Sequence, residues 1–280
     1  MRCVVDDKVY AVKKSKRQFR SKRDRARLLQ EIRIYEKFAM RHNMETCENI
    51  IQYYRAWQED GYVFIQTELC ECGTVKDFTE ALEVDMLLPE TTLWYIINEV
   101  AKGLAFIHEA NIVHLDIKPT NLFIAENGML KIGDFGTAME IGQDVDDGEG
   151  DVFYMAKEVL SSNGVQTSAD IFSFGITLYE LATSVGLPSD GPYWHDLRDG
   201  RSPRIPLCYS SELDELIQAM MHTDPKQRPS AYQVLHQYGN SQAKTGDYIV
   251  EHIQSSAGPQ VVQQQLFENL KTSNLPMAIR

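Results

Sequence analysis

Two short motifs constrain this chain more than any other feature: His114-Leu115-Asp116-Ile117-Lys118-Pro119-Thr120-Asn121, and then Asp134-Phe135-Gly136. In the first, an aspartate precedes an asparagine by five residues in a loop pinned by proline, which sets two oxygen-bearing groups on one floor. The second follows a hairpin, with strands expected at Leu122–Ile124 and Leu130–Ile132 about the turn Glu126-Asn127-Gly128. Order and spacing say more here than either motif alone.

Upstream, Ala11-Val12-Lys13 ends a strand-like run on a lysine, and Glu31 follows eighteen residues later in a stretch of helical period. A lysine ending a strand means little by itself; the two later motifs give it meaning. Phosphoryl transfer requires neutralised phosphates, metal ligands and a group that orients the attacking hydroxyl. The residues present fit those roles. Asp116 can accept or orient the hydroxyl proton, Lys118 can neutralise the γ-phosphate, and Asn121 and Asp134 offer oxygens to Mg2+. Lys13, held by Glu31, can reach the α and β phosphates of ATP.

The remaining pattern gives an α+β, two-lobed architecture. Strands are expected at Val9–Lys13, Ile50–Trp57 and Tyr62–Leu69, the last two joined by Glu59-Asp60-Gly61, with one helix from Ser21 onward. After Gly73 the chain reads as mostly helical. Leu93, Ile96, Ile97, Val100, Ala101 and Leu104 form one apolar stripe between Leu93 and Ala110, and further helices are expected at Thr167–Ser184 and Ser211–Met221. The expected division is a small β lobe over residues 1–69, a larger helical lobe over 70–238, and a polar, loosely attached tail over 239–280. In that tail Val262, Leu266 and Leu270 stand at helical spacing.

A net charge of −12 argues against a surface built to grip nucleic acid. Nine basic residues do lie between Lys13 and Arg27, read as a solvated face at a helix entrance, with nuclear targeting or substrate docking as the other readings. No apolar run reaches the roughly 18–20 residues of a membrane span. Five cysteines lie scattered without paired ligand spacing, which points to a reduced compartment, nucleus or cytoplasm.

From Met1 to about Gln237 the sequence resembles the eukaryotic protein kinase family. Ala156-Lys157-Glu158 stands where the family has Ala-Pro-Glu, Asp170 matches the buried aspartate of the long helix in the large lobe, and Arg228 matches the arginine that pairs with Glu158. The resemblance implies that Thr67 is the gatekeeper, that Glu68 and Cys70 offer hinge backbone groups to adenine, and that Phe123 lies under the base.

Departures from the family pattern narrow the resemblance. Leu115 stands where the family has an arginine that grips an activation-loop phosphate, and Glu149-Gly150-Asp151 stands where Gly-Thr is usual. The family fold would bring Asp151 close to Lys118. With Tyr10–Lys16, Gln66–Cys70, Leu187-Pro188 and Trp194–Gly200, these features look like the Wee/Myt family, which inhibits cyclin-dependent kinases. The likeness implies as substrate a mitotic cyclin-dependent kinase, phosphorylated on the tyrosine of its Gly-rich loop, or on that tyrosine and its neighbouring threonine. Thr67 and Leu115 lean toward Myt or fungal-type Wee enzymes, and the lack of a membrane segment in this chain leans toward a soluble Wee type.

No Gly-x-Gly precedes Lys13, so the phosphate-covering loop and first strand are expected to be missing from this chain. Three readings stay open: a catalytic kinase beginning further upstream, a folded binding module with impaired catalysis, and a stress kinase acting on a translation initiation factor. Intact Lys13, Asp116, Asn121 and Asp134 speak against the second, and His-Leu-Asp with Glu-Gly-Asp against the third.

Overall fold

The computed structural model describes residues 8–15, 18, 22–41, 47–82, 86–143, 150–159, 165–238 and 247–256. Residues 1–7, where the phosphate-covering loop and first strand are expected to be missing, lie outside the described residues, as do Glu149, the helical spacing at Val262–Leu270 and most of the basic side chains between Lys13 and Arg27.

Three strands make the small sheet: β1 (Tyr10–Lys14), β2 (Tyr53–Glu59) and β3 (Tyr62–Glu68), antiparallel in the order β1-β3-β2. Alternation along β3 buries Val63 and Ile65, so this strand takes the centre. Asp60 and Gly61 both adopt positive φ, the conformation a two-residue hairpin turn demands. Helix α1 (Lys22–Arg41) lays Ile32, Ile34, Tyr35 and Phe38 into the core.

The expected strand start at Ile50 is corrected. Residues Asn49–Ile51 pair instead with the second hairpin, β5 (Leu122–Ile124) and β6 (Leu130–Ile132): Ile132 N donates to Asn49 O at 2.8 Å and Ile51 N to Ile132 O at 2.9 Å. The apolar pair Ile50-Ile51 looks like a strand because it is buried, yet its backbone partners lie in the other lobe. The buried Asn49 amide reinforces this crossing by donating to Glu99 and to Leu130 O.

The helical lobe contains α2 (Val75–Glu80), α3 (Glu90–Glu109), α4 (Ser168–Thr183), α5 (Gly191–Arg198), α6 (Ser211–Met220) and α7 (Ala231–Gln233). Two short strands, β4 (Ile112–Val113) and β7 (Met139–Glu140), pair beneath the site loops. Helix α4 is buried on nearly every face, which its all-round apolar sequence permits. Helix α8 (Asp247–Ser256) corrects the expectation of a loose tail over its own length. Ile249 is fully buried, and the Tyr248 and His252 rings meet Phe78 of α2 edge-on. No helix among the described residues is long and apolar enough to cross a membrane.

Candidate active site

Lys13 sits near the end of β1 because its register opposite Ile65 points it beneath the sheet toward α1. There its Nζ lies 2.9 Å from Glu31 Oε2 and 2.6 Å from Asp134 Oδ1, joining strand, helix and the second motif. Burial would lower the lysine pKa, but the charges of Glu31 and Asp134 outweigh it and hold the group above its ordinary value. Asp134 shows the converse. Burial would raise its carboxyl, but the Lys13 ammonium and the Gly136 N–H hold it below the usual range.

Asp134 also adopts a left-handed backbone (φ 59°), which turns its side chain back toward the cleft while Phe135 points into the core. The Phe135 ring belongs to a column running through both lobes. Tyr53 stacks on Tyr35 at 5.0 Å, Tyr35 meets Phe135 at 5.1 Å, and Phe135 meets His114 at 4.9 Å.

The floor of the cleft is the loop from His114 to Asn121. Leu115 has φ 66°, a costly conformation for leucine, and the buried Asp170 carboxylate holds it there. That carboxylate accepts from His114 N and Leu115 N, each at 2.8 Å, and lies 2.9 Å from His108 Nε2. Held this way, the loop presents Asp116, whose backbone oxygen and Oδ2 both accept from Asn121 Nδ2 at 2.8 Å. Lys118 Nζ lies 3.0 Å from Asp116 Oδ1 and 3.1 Å from Asp151 Oδ2. Burial again opposes the lysine charge, and the two carboxylates raise its pKa nonetheless.

Gly133 N donates to Asn121 O, so Asn121 and the neighbouring Asp134 meet at the mouth of the hairpin. With its amide nitrogen engaged by Asp116, Asn121 keeps its side-chain carbonyl for a cation, and Asp134 supplies a carboxylate. Two hard oxygens fit Mg2+, which takes phosphate and water for its other positions.

The expected hinge residues lie where β3 leaves the sheet. Glu68 N is taken by Gln52 O, its carboxylate accepts from Gln52 N and pairs with Lys131, and its carbonyl accepts from the Thr67 hydroxyl at 3.2 Å. Cys70 is buried, which pushes its thiol up to about 12 and makes it a packing residue rather than a nucleophile. Half-buried Phe123 lies so close to Gly133 that a Cβ there would stand 2.8 Å from its ring.

Leu115 is 5% exposed and packs with Val113, Val165 and Ala169, so an apolar contact occupies the position where the family has its phosphate-gripping arginine. Gly150 has φ 96°, and a Cβ on it would stand 3.2 Å from Leu115 O and 2.6 Å from Met155 Cε. Only glycine fits that approach, and it delivers Asp151 to Lys118. Phosphatase treatment of the full-length protein is therefore expected to leave its activity nearly unchanged. A tenfold drop, about 1.4 kcal/mol of barrier, would show that some other cation reads a phosphate there.

In the sequence, Trp194 and Arg198 lie in the Trp194–Gly200 stretch that resembles the Wee/Myt family, with no role attached to either. Their four-residue spacing was the available signal, since it puts both on one face of a helix.

Residues 1–238 match the family model described as protein kinase domain. The chain is 44% identical to a probable protein kinase of Dictyostelium discoideum over 81% of its own length and 64% of the relative's. It is 40% identical to the membrane-associated tyrosine- and threonine-specific cdc2-inhibitory kinase of Drosophila melanogaster, over 82% of this chain and 42% of that one. With the mitosis inhibitor protein kinase wee1 of Schizosaccharomyces pombe it shares 35% identity, over 90% of this chain and 31% of the relative. The chain thus spans between about a third and two thirds of the curated relatives it matches. The matched motifs and the geometry that joins them agree: this chain belongs to the protein kinase family.

Proposed function

We propose that this protein transfers the γ-phosphate of ATP to a protein hydroxyl, and that its acceptor is the inhibitory tyrosine, or that tyrosine with the adjacent threonine, in the Gly-rich loop of a mitotic cyclin-dependent kinase. The convergence of two ion-pair clusters supports the transfer: Lys13 with Glu31 and Asp134, and Lys118 with Asp116 and Asp151. In this reading Lys13 steadies the α and β phosphates and Asp116 orients the acceptor hydroxyl. Lys118 stands beside Asp116 to offset charge on the transferring group. Mg2+, held by Asp134 and Asn121, would neutralise phosphate charge when bound. The acceptor identity is supported by the names of the fly and yeast relatives, which are cdc2-inhibitory and mitosis-inhibitory kinases.

The test incubates the full-length protein with Mg2+, labelled ATP and a catalytically dead cyclin-dependent kinase, then maps the labelled residue. Label on the Gly-rich-loop tyrosine is expected, and its loss when that tyrosine is replaced by phenylalanine. Label confined to serines elsewhere, or to an initiation factor offered alongside, would overturn the acceptor assignment. Absence of transfer to any protein would overturn the activity.

A further inference from the structure

The segment Asp151–Met155 leaves the cleft with little secondary structure of its own, and its backbone carbonyls need donors. Three of those carbonyls, at Val152, Phe153 and Met155, converge on one side chain. Arg198 of α5, 2% exposed, donates through Nε to Met155 O at 2.8 Å. Its Nη2 donates to Val152 O at 2.9 Å and Phe153 O at 3.0 Å, and its Nη1 to Trp194 O at 3.2 Å. Trp194 lies under the guanidinium, 3.8 Å from ring centroid to Cζ, and its indole N–H donates to Val152 O at 2.9 Å.

No carboxylate pairs with this arginine among the described residues, and burial draws its pKa down to about 10. A buried guanidinium bound only by carbonyls is expensive unless each donor is used, and a planar fork of five N–H groups can use them where an ammonium cannot. The clasp leaves the Val152 and Phe153 side chains 44% and 37% exposed, next to Asp151. From Asp151 the contacts run to Lys118 and through it to Asp116.

We propose that Arg198, seated on Trp194, is a positioning residue that holds segment Asp151–Met155 in the shape that receives the protein acceptor. With Leu115 buried in an apolar cluster, carbonyl capping from below takes the place of a phosphate–arginine contact as the restraint on this segment. The proposal rests on the transfer activity proposed above, and it concerns acceptor binding rather than nucleotide binding.

The experiment compares Arg198→Met, Arg198→Lys and Trp194→Phe in the full-length protein. Arg198→Met removes every donor, Arg198→Lys keeps a charge without the fork, and Trp194→Phe removes one N–H while keeping most of the ring. For Arg198→Met, kcat/KM toward the protein acceptor should fall at least about tenfold while KM for ATP stays within about twofold, a split that general unfolding would not give. Arg198→Lys should recover part of the loss. Chymotrypsin should cut after Phe153 or Tyr154 faster in the Met variant than in the parent. If Arg198→Met does not fold, Trp194→Phe carries the test through a smaller loss in acceptor kcat/KM at an unchanged Tm. A folded Arg198→Met with parental acceptor kinetics and parental cleavage would overturn the proposal, as would equal losses toward ATP and acceptor. Where Trp194→Phe is the variant read, parental acceptor kinetics at an unchanged Tm would overturn it equally. If the parent transfers no phosphate, the proposed activity fails instead, and the cleavage rates alone decide the clasp.

Discussion

Asp134→Asn is expected to lower phosphoryl transfer by about 10²–10⁴-fold, the range that removal of a site's key charged group commonly costs. At 1.36 kcal/mol per factor of ten this is roughly 3–5 kcal/mol of lost transition-state stabilisation. The substitution preserves shape, and Lys13 retains its 2.9 Å contact with Glu31, so the fold has no reason to fail. What disappears is the carboxylate that faces both Lys13 and the cation position. The loss should therefore be eased by raised Mg2+, because the asparagine oxygen still coordinates, though without charge. Asp116→Asn separates the roles. It should reduce kcat on a similar scale without relief by raised Mg2+, since the asparagine oxygen can still accept from Asn121 Nδ2 and keep that cation ligand in place, while the carboxylate beside Lys118 is lost. Steady-state rates across a Mg2+ titration distinguish the two variants. Near-parental turnover in Asp134→Asn, at a melting temperature that shows it folded, would remove that residue from the site.

How much of the fold and site was legible in the sequence depended on whether each relation was local along the chain. The hairpin between Leu122 and Ile132 was readable because its strands, turn and register all lie within eleven residues. The helix stripe from Leu93 was equally readable, because its period repeats within one element. Lys13 and Glu31 could be named as partners only because later motifs gave the lysine a purpose; nothing in its own strand marked it. Ile50 and Ile51 misled for the same reason in reverse. Their burial was evident, but their backbone partner, Ile132, lies some eighty residues away in the other lobe. The docking of α8 on Phe78 was also hidden, because Tyr248, Ile249 and His252 form a short stripe among polar neighbours. Arg198 shows the limit most plainly. No helix is expected between Ser184 and Ser211, and only the fold shows three carbonyls of a distant segment converging on this arginine.

Arg228→Met should strongly destabilise the helical lobe, because this arginine closes the far end of the segment that Arg198 holds. Its side chain is 1% exposed and forks onto Glu158, with Nη1 at 2.5 Å from Oε1 and Nη2 at 3.1 Å from Oε2. It also donates to His222 O at 2.8 Å and Ser168 O at 2.9 Å, and lies over the Phe172 ring at 4.8 Å. Met fills much of the volume but supplies none of the donors, so Glu158 and two carbonyls lose their partner together. Removing one member of a buried pair commonly costs about 3–5 kcal/mol. The Glu158 side chain retains 28% exposure and can recover some hydration, which places the expectation near the lower end, about 3 kcal/mol. For a chain of this size that corresponds to a fall in Tm of roughly 6–12 °C. Glu158→Gln should cost less, because an amide oxygen still accepts one arginine N–H and no unpaired carboxylate is left behind. The ordering of the two variants is the sharper test. Thermal melts showing Glu158→Gln at least as destabilised as Arg228→Met would mean that the charge of Glu158, rather than the carbonyls gathered by Arg228, anchors this end of the segment.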